Sequence, residues 1–279
     1  MNDFILPPQE NRAKLWREPS LFNTEFLRAT YPTHTFPQHS HDEYALGFIE
    51  RGAQMFSEGQ RERTVMPAGT ICVINPGQFH EGGPATVGGW DYRMIYLPRS
   101  ALAIILGIEG ALPESALPYF NDPVIDDPAL VRVMRAAHSC SESPDVSWLE
   151  KSTRLTLALR QLASRHGQGE RPGFLPGAAS GAVTRAREYI DSCIEANPTL
   201  DEIATAAGLS SFHLLRQFKL AVGLPPHAYL MQRRVDQARR LLLKGHPLRE
   251  VAIRVGYADQ AHFSREFRRF YGVSPSTIR

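Results

Sequence analysis

The pattern of hydrophobic and polar positions changes character along the chain. Residues 1–30 mix apolar and charged positions without a clean period, which predicts an arm leading into a first strand. Short apolar runs separated by Gly and Pro turns follow through residues 31–97, a spacing typical of a β-sandwich or barrel. Between residues 100 and 166 the apolar positions recur at helical spacing. We therefore expect a β-rich front followed by helices.

The C-terminal part of the chain contains one pattern twice. The segment Leu200–Pro226 recurs as Leu248–Pro275, with ten matched positions and a single one-residue slip at the turn. Each copy has a short helix, a glycine turn and a second amphipathic helix, the layout of a helix-turn-helix motif. Gly208 and Gly256 lie in the turns, where glycine tolerates a positive φ best. The predicted motifs span residues 200–221 and 248–271.

The second helix of each copy has signals for its start and for its buried face. Ser210 and Asp259 are expected as N-caps. Apolar residues four apart should anchor each helix to its core, and His213 and His262 are expected on that same side as structural residues. The anchors are Leu214 and Phe218 in the first helix, and Phe263 and Phe267 in the second.

The outward faces of these two helices carry candidate DNA-reading residues. Arg can bind guanine edges with two hydrogen bonds and Gln can bind adenine, whereas other Lys and Arg side chains meet phosphates. Two such helices on one chain can enter successive major-groove segments about 34 Å apart. The first helix depends mainly on Arg216, and the second has the richer set. The predicted DNA-binding residues are Ser211, Phe212, Leu215, Arg216 and Lys219, with Gln260, Ala261, Ser264, Arg265, Arg268 and Arg269.

Charge separates a basic C-terminal third from an acidic remainder. From Val183 onward the chain has 15 Lys and Arg against 9 Asp and Glu, whereas the residues before it have 16 against 20. The two parts meet at residues 167–182, which contain five Gly and two Pro and are predicted to form an exposed linker. The basic part favours an anionic partner.

Composition excludes several other classes of protein. The chain is 43% hydrophobic and 22% charged, as globular proteins are, and no apolar run approaches 18 residues. The N-terminus lacks the layout of a signal peptide, so we expect a cytoplasmic protein. Cys72, Cys140 and Cys193 are far apart and form no CxxC pair, which argues against a disulfide framework and a zinc finger.

Polar residues in the β-rich part form a candidate small-molecule site. In PQHSHDEY, His39, His41 and Glu43 alternate and are therefore expected on one face of a strand, while His80 follows a Pro-Gly turn. Arg93 could bind a carboxylate if its strand face points inward, and the pattern fits an outward direction equally well. The predicted ligand-binding residues are His39, His41, Glu43, His80 and Arg93.

Residues 30–98 resemble the cupin fold, a small β-barrel with a paired His-x-His and a later PG-x-x-H. In metal-binding cupins these histidines and a downstream glutamate hold the metal. His39, His41 and His80 match, but no glutamate stands at the family's spacing. A three-histidine site for metal remains chemically open, as do an organic-ligand pocket and a merely polar barrel mouth.

Residues 183–279 resemble the AraC/XylS family of bacterial transcription regulators. The resemblance rests on A-x(3)-G-x-S-x(2)-H-L-x-R-x-F-K and on V-A-x(3)-G-Y-x-D-x(2)-H-F-S-R-x-F-R-R-x-Y-G-x-S-P. The usual aromatic residue before the final Arg is replaced by Ile278. A cupin-like front domain matches the family's common sensor arrangement, and the resemblance implies that the helices after the barrel form a dimer.

The sequence therefore predicts a multidomain protein with both α and β structure and an all-α C-terminal domain. Its parts are a cupin-like sensing barrel with an N-terminal arm (1–98), a helical dimerisation segment (99–166), a linker (167–182) and an AraC-type DNA-binding domain (183–279). We expect a sequence-specific transcription regulator that senses a small molecule, without enzymatic activity or a cofactor. Its expected partners are double-stranded DNA, a small-molecule effector, a second copy of the chain and, for an activator, RNA polymerase. The alternative is a metal-dependent cupin enzyme fused to a DNA-binding module.

Overall fold

The computed structural model describes residues 10–57, 63–108, 117–167 and 181–278. The chain forms two compact units, one made mostly of residues before 174 and the other mostly of residues after it. Most of the predicted linker, residues 168–180, lies outside the described part of the chain.

The described residues before 174 are rich in short antiparallel strands, as the turn spacing predicts. The strands are β1 (Arg12–Glu18), β2 (Thr24–Tyr31), β3 (Phe36–His39), β4 (Tyr44–Ser57), β5 (Thr64–Pro67), β6 (Ile71–Ile74), β7 (His80–Pro84), β8 (Trp90–Leu97) and β9 (Val124–Ile125). All of these strands except β3 belong to the first unit.

The long strand β4 holds the sheet together. Its first half pairs with β6 and β8, and its second half pairs with β5 and β7. The register with β8 shifts between Ile49 and Arg51, which places a bulge at Glu50 where the strand changes partners. The main path runs β1-β2-β8-β4-β6-β9 and does not close into a ring among the described strands. The domain is barrel-like, in agreement with the predicted fold class.

The N-terminal segment differs from the predicted arm. β1 and β2 form a full antiparallel pair from Arg12↔Thr30 to Glu18↔Thr24, joined by a short 3-10 turn. Most of β2 is buried on both faces, so its sequence shows no alternation of apolar and polar positions. The arm interpretation was wrong for residues 12–30 for that reason, and residues 1–9 lie outside the described part of the chain.

Three helices cover one face of the sheet: α1 (Arg99–Leu106), α2 (Pro128–Glu142) and α3 (Trp148–His166). α2 begins where predicted, because the Asp127 carboxylate accepts a hydrogen bond from the Leu130 backbone N–H at 3.0 Å. No helix in the described ranges is long and apolar enough to cross a membrane. The core between sheet and helices includes Phe26, Leu46, Phe48, Ile95 and Leu97 from the strands, with Leu130, Met134, Leu155, Leu159 and Leu162 from the helices.

A polar network crosses this sheet–helix interface. The Arg93 guanidinium on β8 lies 3.0 Å from the Glu50 carboxylate at the bulge and 3.3 Å from the Glu142 carboxylate on α2. Arg93 also donates to Nδ1 of His138 at 3.2 Å. Nε2 of His138 then faces the carbonyl oxygens of Leu27 and Met94 at 3.2 and 3.3 Å. The imidazole therefore carries its proton on Nε2 and is held neutral.

We expect the first unit to lose stability when the pH falls below neutral, and His138 to account for much of that loss. Its side chain is fully buried, and burial together with the nearby Arg93 charge lowers its pKa to about 4. Between pH 6.5 and 4 the unfolded chain binds a proton at His138 that the folded chain does not. The free energy of unfolding therefore decreases as the pH falls through this range. The loss should reach about 2 kcal/mol at pH 5.

Denaturant unfolding at pH 7.5 and pH 5, followed by tryptophan fluorescence, measures this loss. His138→Gln keeps a donor and an acceptor but does not titrate, so its pH dependence should be smaller by about 2 kcal/mol. Equal pH dependence in the variant and the wild type would contradict the assignment.

Apart from the short strand β3 (Phe36–His39), the second unit consists of helices and their connections in its described residues. Its helices are α4 (Gly181–Ser192), α5 (Leu200–Ala207), α6 (Ser211–Val222), α7 (Pro226–Leu243), α8 (Leu248–Arg254) and α9 (Gln260–Tyr271). The two predicted helix-turn-helix motifs are α5–α6 and α8–α9, with α7 between them.

The end of α4 depends on a contact from α7. Ala186, Ile190 and Ile194 recur at helical spacing, which predicts a helix from Thr184 through Ala196, but the helix ends at Ser192. Beyond that point the carbonyl oxygens of Ile194 and Ala196 accept hydrogen bonds from the Arg234 guanidinium. A tertiary contact rather than local helix preference therefore shapes this turn.

Candidate functional site

Both helix-turn-helix turns contain the predicted glycines with positive φ. Gly208 has φ 71° and Gly256 has φ 83°. A Cβ at Gly256 would lie 2.7 Å from the carbonyl oxygen of Glu195, whereas at Gly208 the nearest atom is Nη2 of Arg185 at 3.5 Å. The second turn therefore requires glycine for space as well as for backbone conformation.

Both predicted N-caps are confirmed. The Ser210 hydroxyl accepts from the His213 N–H at 3.4 Å, and the Asp259 carboxylate accepts from the His262 N–H at 2.7 Å. That backbone hydrogen bond holds the pKa of Asp259 below its usual value. The capped ends set the direction in which α6 and α9 leave their turns.

The prediction that His213 and His262 face the core was wrong, because both side chains are exposed. Each stands one residue before the first anchor and so turns away from the buried face. Nδ1 of His213 lies 3.0 Å from the Ser210 hydroxyl, and the His262 ring lies edge-on to Tyr257 at 5.1 Å. Both histidines therefore support the start of their helices from the solvent side.

The buried faces of α6 and α9 are those predicted, since all four anchors have 0% of their surface exposed. Ser211 is half-buried and its hydroxyl donates to the Asp201 carboxylate of α5, and Ser264 is also half-buried. The remaining predicted DNA-binding residues are exposed: Phe212, Leu215, Arg216 and Lys219 on α6, with Gln260, Ala261, Arg265, Arg268 and Arg269 on α9.

Sequence reasoning missed Leu220, which is 73% exposed on α6. The signal was present, because Phe212, Arg216 and Leu220 recur every four residues and must share a face. In the repeat, Leu220 corresponds to Arg269 of α9. The first motif thus presents a more apolar face than the second.

The first helices of the motifs also differ in charge. α5 begins with Asp201 and Glu202 in its first turn. At matching and nearby positions α8 has exposed Arg249 and Arg254, the latter 2.7 Å from Glu250. Since the first helix of such a motif crosses the DNA backbone, the second motif is better suited to phosphates.

The candidate small-molecule site is only partly assembled as predicted. β3 ends at His39, and residues 40–43 form a bend, so His39, His41 and Glu43 do not share one strand face. The bend is held by hydrogen bonds from the Gly77 N–H to the His41 carbonyl at 2.8 Å and from the His41 ring to the Glu43 carbonyl at 2.8 Å. Local turn geometry therefore overrides the alternation.

The structure does bring His41 and His80 together, with ring centroids 5.0 Å apart. His80 is buried, stacks on Phe56 at 5.9 Å and directs Nδ1 to the Gln78 carbonyl at 3.0 Å. Since Nδ1 of each imidazole faces a backbone carbonyl, a neutral ring carries its proton there and keeps Nε2 as an acceptor. The pair can accept hydrogen bonds from hydroxyl or amine groups.

A series of aromatic residues that leads from this pair through Tyr96 to Tyr92 and Tyr31 was missed in the sequence. The Tyr96 ring lies 5.8 Å from His41, and Tyr31 lies 5.5 Å from Trp90 and 5.8 Å from Tyr92. Tyr92 is fully enclosed, and burial raises its pKa well above the usual value. The signal was the alternation of Trp90, Tyr92 and Tyr96 along β8, which places all three on one face.

Arg93 lies on the opposite face of β8 from these rings. Its ion pairs with Glu50 and Glu142 direct it towards α2, so the prediction that it binds a ligand with His41 and His80 was wrong. The pattern along β8 separates two faces but does not say which one the helices cover.

The three-histidine metal site finds no support in the described residues, where no three His, Cys, Asp or Glu side chains are arranged to hold a metal ion. His39 stays on its own short strand, with Nδ1 2.7 Å from the Pro37 carbonyl oxygen.

Comparison with known families shows the family to which this chain belongs. The family described as "AraC-like ligand binding domain" matches residues 21–159, and the one described as "Helix-turn-helix domain" matches residues 203–279. The chain belongs to the AraC family of transcriptional regulators. As a member of that family it is a DNA-binding transcription regulator with a ligand-binding domain.

Relatives of similar length agree with this membership of the AraC family. The uncharacterized HTH-type transcriptional regulator YbfI of Bacillus subtilis is 28% identical over 81% of each chain. The HTH-type transcriptional activator RhaS of Salmonella typhimurium is 26% identical over 89% of each chain. Among solved structures, ToxT from Vibrio cholerae O395 superposes with a TM-score of 0.51 at 12% identity, covering 97% of this chain and 99% of its own. That likeness concerns the fold alone.

Proposed function

We propose that this AraC-family protein binds its operator with α6 and α9 in two successive segments of the major groove. The observation that carries the proposal is the matched pair of exposed cations on the two helices: Arg216 and Lys219 on α6 correspond to Arg265 and Arg268 on α9. Arg216 and Arg265 are proposed to read base edges, and Lys219 and Arg268 to bind phosphates.

Replacing Arg265 with alanine should weaken operator binding by about 1–3 kcal/mol, or about 5- to 150-fold, and relax base preference at one position. Replacing Arg268 should weaken binding to all sequences alike and reduce its salt dependence. Fluorescence anisotropy with a duplex selected from a random library by the full-length protein measures both effects.

Arg132→Ala serves as the control, since this exposed Arg on α2 belongs to the first unit and its loss changes the net charge equally. If Arg265→Ala and Arg132→Ala bind the selected duplex alike, α9 is not the reading helix. If the wild-type protein selects no preferred sequence from the random library, the proposal as a whole is wrong.

The effector is proposed to bind beside His41 and His80, within the aromatic surroundings of Tyr31, Tyr92 and Tyr96. Imidazole and phenol groups combine flat apolar surfaces with hydrogen-bonding atoms, as small-molecule sites require. Because related proteins are named as activators, we place RNA polymerase among the partners. A protein with this role acts in the cytoplasm, and we assign no catalytic residue.

A second copy of the chain is proposed to bind along α3. Leu149 and Leu157 are 67% and 51% exposed and lie two turns apart on this helix, while its opposite face is buried in the core. Leu157→Lys should weaken self-association about tenfold or more, because a charge would be buried in an apolar contact. Ile104→Lys, at an equally exposed position on α1, is the control. Sedimentation velocity that shows one oligomeric state for all three proteins would refute this interface.

A further inference from the structure

The outward face of α6 is unusual for a helix assigned to DNA, because much of it is apolar. Phe212 is 72% exposed, Leu220 is 73% exposed and Leu215 is 41% exposed. None of the three is required by the core, which α6 contacts through Leu214 and Phe218. Large apolar side chains left in water on a reading helix indicate a partner with apolar groups.

The repeat provides an internal comparison for these positions. Phe212, Leu215 and Leu220 of α6 correspond to Ala261, Ser264 and Arg269 of α9. The neighbouring cations are kept in both helices. The two helices therefore share cations at two matched positions and differ at the three positions where α6 is apolar.

Phe212 stands in the first turn of α6, the part of a recognition helix that meets base edges. Its ring lies 6.0 Å from His213, which is itself hydrogen-bonded to the N-cap Ser210. Arg216 follows one turn later on the same face and so directs this surface towards a polyanion. Leu220 lies a further turn away, towards the C-terminal end.

We propose that α6 recognises thymine methyl groups through Phe212 and Leu215. The C5-methyl of thymine is the apolar group that base pairs present in the major groove of B-DNA. The operator should then have a thymine-dependent half-site under α6 and a half-site read by hydrogen bonds under α9. This inference rests on the proposed function, since it needs α6 in the major groove.

Replacement of thymine by deoxyuridine in the selected duplex tests the proposal, because it removes only the methyl group. The half-site of α6 is the one where Arg216→Ala relaxes base preference. Deoxyuridine there should weaken wild-type binding about fourfold for each methyl contacted, the value of one buried methyl group. Deoxyuridine in the α9 half-site should change binding less than twofold.

Phe212→Ala should reduce the difference between the thymine and deoxyuridine duplexes, and the double variant Phe212→Ala/Leu215→Ala should bind them equally. Leu220→Ala, which removes a side chain as exposed as that of Phe212, should keep the wild-type difference. If deoxyuridine leaves wild-type binding unchanged while Arg265→Ala still weakens DNA binding, the thymine assignment is wrong but the DNA-binding function stands. If Phe212→Ala binds DNA like the wild type but no longer supports transcription, this face binds a protein and the proposal is wrong. If the wild-type protein does not bind the selected duplex in preference to other sequences, the proposed function itself is wrong.

Discussion

Replacing Arg234 with alanine is expected to lower the free energy of unfolding of the second unit by about 3–5 kcal/mol. Arg234 is 3% exposed on α7. Its guanidinium donates to the carbonyls of Ile194, at 2.8 Å, and Ala196, and lies 5.8 Å from the Tyr257 ring. Without it, both carbonyls lose a charged donor, and the space of the buried side chain is left unfilled.

The effect should extend to DNA binding because Arg234 joins parts of both motifs. It connects the segment after α4, which leads into the first motif, to Tyr257 in the turn of the second. In the same turn, a Cβ at Gly256 would lie 2.6 Å from Nη2 of Arg234. Loss of this side chain therefore leaves α6 and α9 less firmly placed relative to each other.

Urea unfolding followed by far-ultraviolet circular dichroism measures the loss for Arg234→Ala. Arg240→Ala is the matched control, since Arg240 is exposed on the same helix and its loss should change stability by no more than about 0.5 kcal/mol. The three tryptophans, Trp16, Trp90 and Trp148, all lie in the first unit, so fluorescence reports separately on that unit. Equal midpoints for the two variants would show that the buried guanidinium is dispensable.

Replacing Gly89 with alanine is expected to destabilise the first unit by about 3 kcal/mol or more. Gly89 has φ 67° and precedes β8. A Cβ there would lie 2.1 Å from the carbonyl oxygen of Tyr31 and 2.4 Å from Cα of Pro32. Both are backbone atoms, so the end of β2 would have to move away from β8, where Tyr31 pairs with Trp90.

Gly69→Ala separates this crowding from the cost of the backbone conformation alone. Gly69 has φ 89°, and a Cβ there would meet no atom within 4 Å. Gly69→Ala should therefore lower the free energy of unfolding by only roughly 1–2 kcal/mol, the cost of placing alanine in the left-handed backbone conformation. Tryptophan fluorescence during denaturant unfolding measures both variants. A loss for Gly69→Ala as large as that for Gly89→Ala would show that the contact with Tyr31 is not decisive.

The sequence predicted the helical unit well because its signals are local. The caps Ser210 and Asp259 and the turn glycine Gly208 act within one helical turn of their own positions. The repeat then confirmed each signal by showing it twice. Where the structure differed, as at the end of α4, the cause was Arg234, some 40 residues away.

The candidate ligand site was much less predictable. His41 and His80 were found from motif spacing, but Tyr31 and Tyr92 were not, because buried aromatic residues on strands usually belong to a core. His41 and Glu43 were placed on the same strand as His39, but that strand ends at His39. A bend held by the hydrogen bond from the Gly77 N–H to the His41 carbonyl decided this, and the histidine pattern gives no sign of it.

By itself, the sequence determined the change from a β-rich part to a helical part, the two helix-turn-helix motifs and the buried anchors of α6 and α9. These follow from periodicity and capping, which act between residues close in the chain. Only the tertiary structure decided that Arg93 faces α2 while Tyr92, the residue before it, lies buried on the opposite face of β8. Both faces of β8 are largely buried, so alternation separates the faces but cannot assign them. That assignment depends on which face the helices cover.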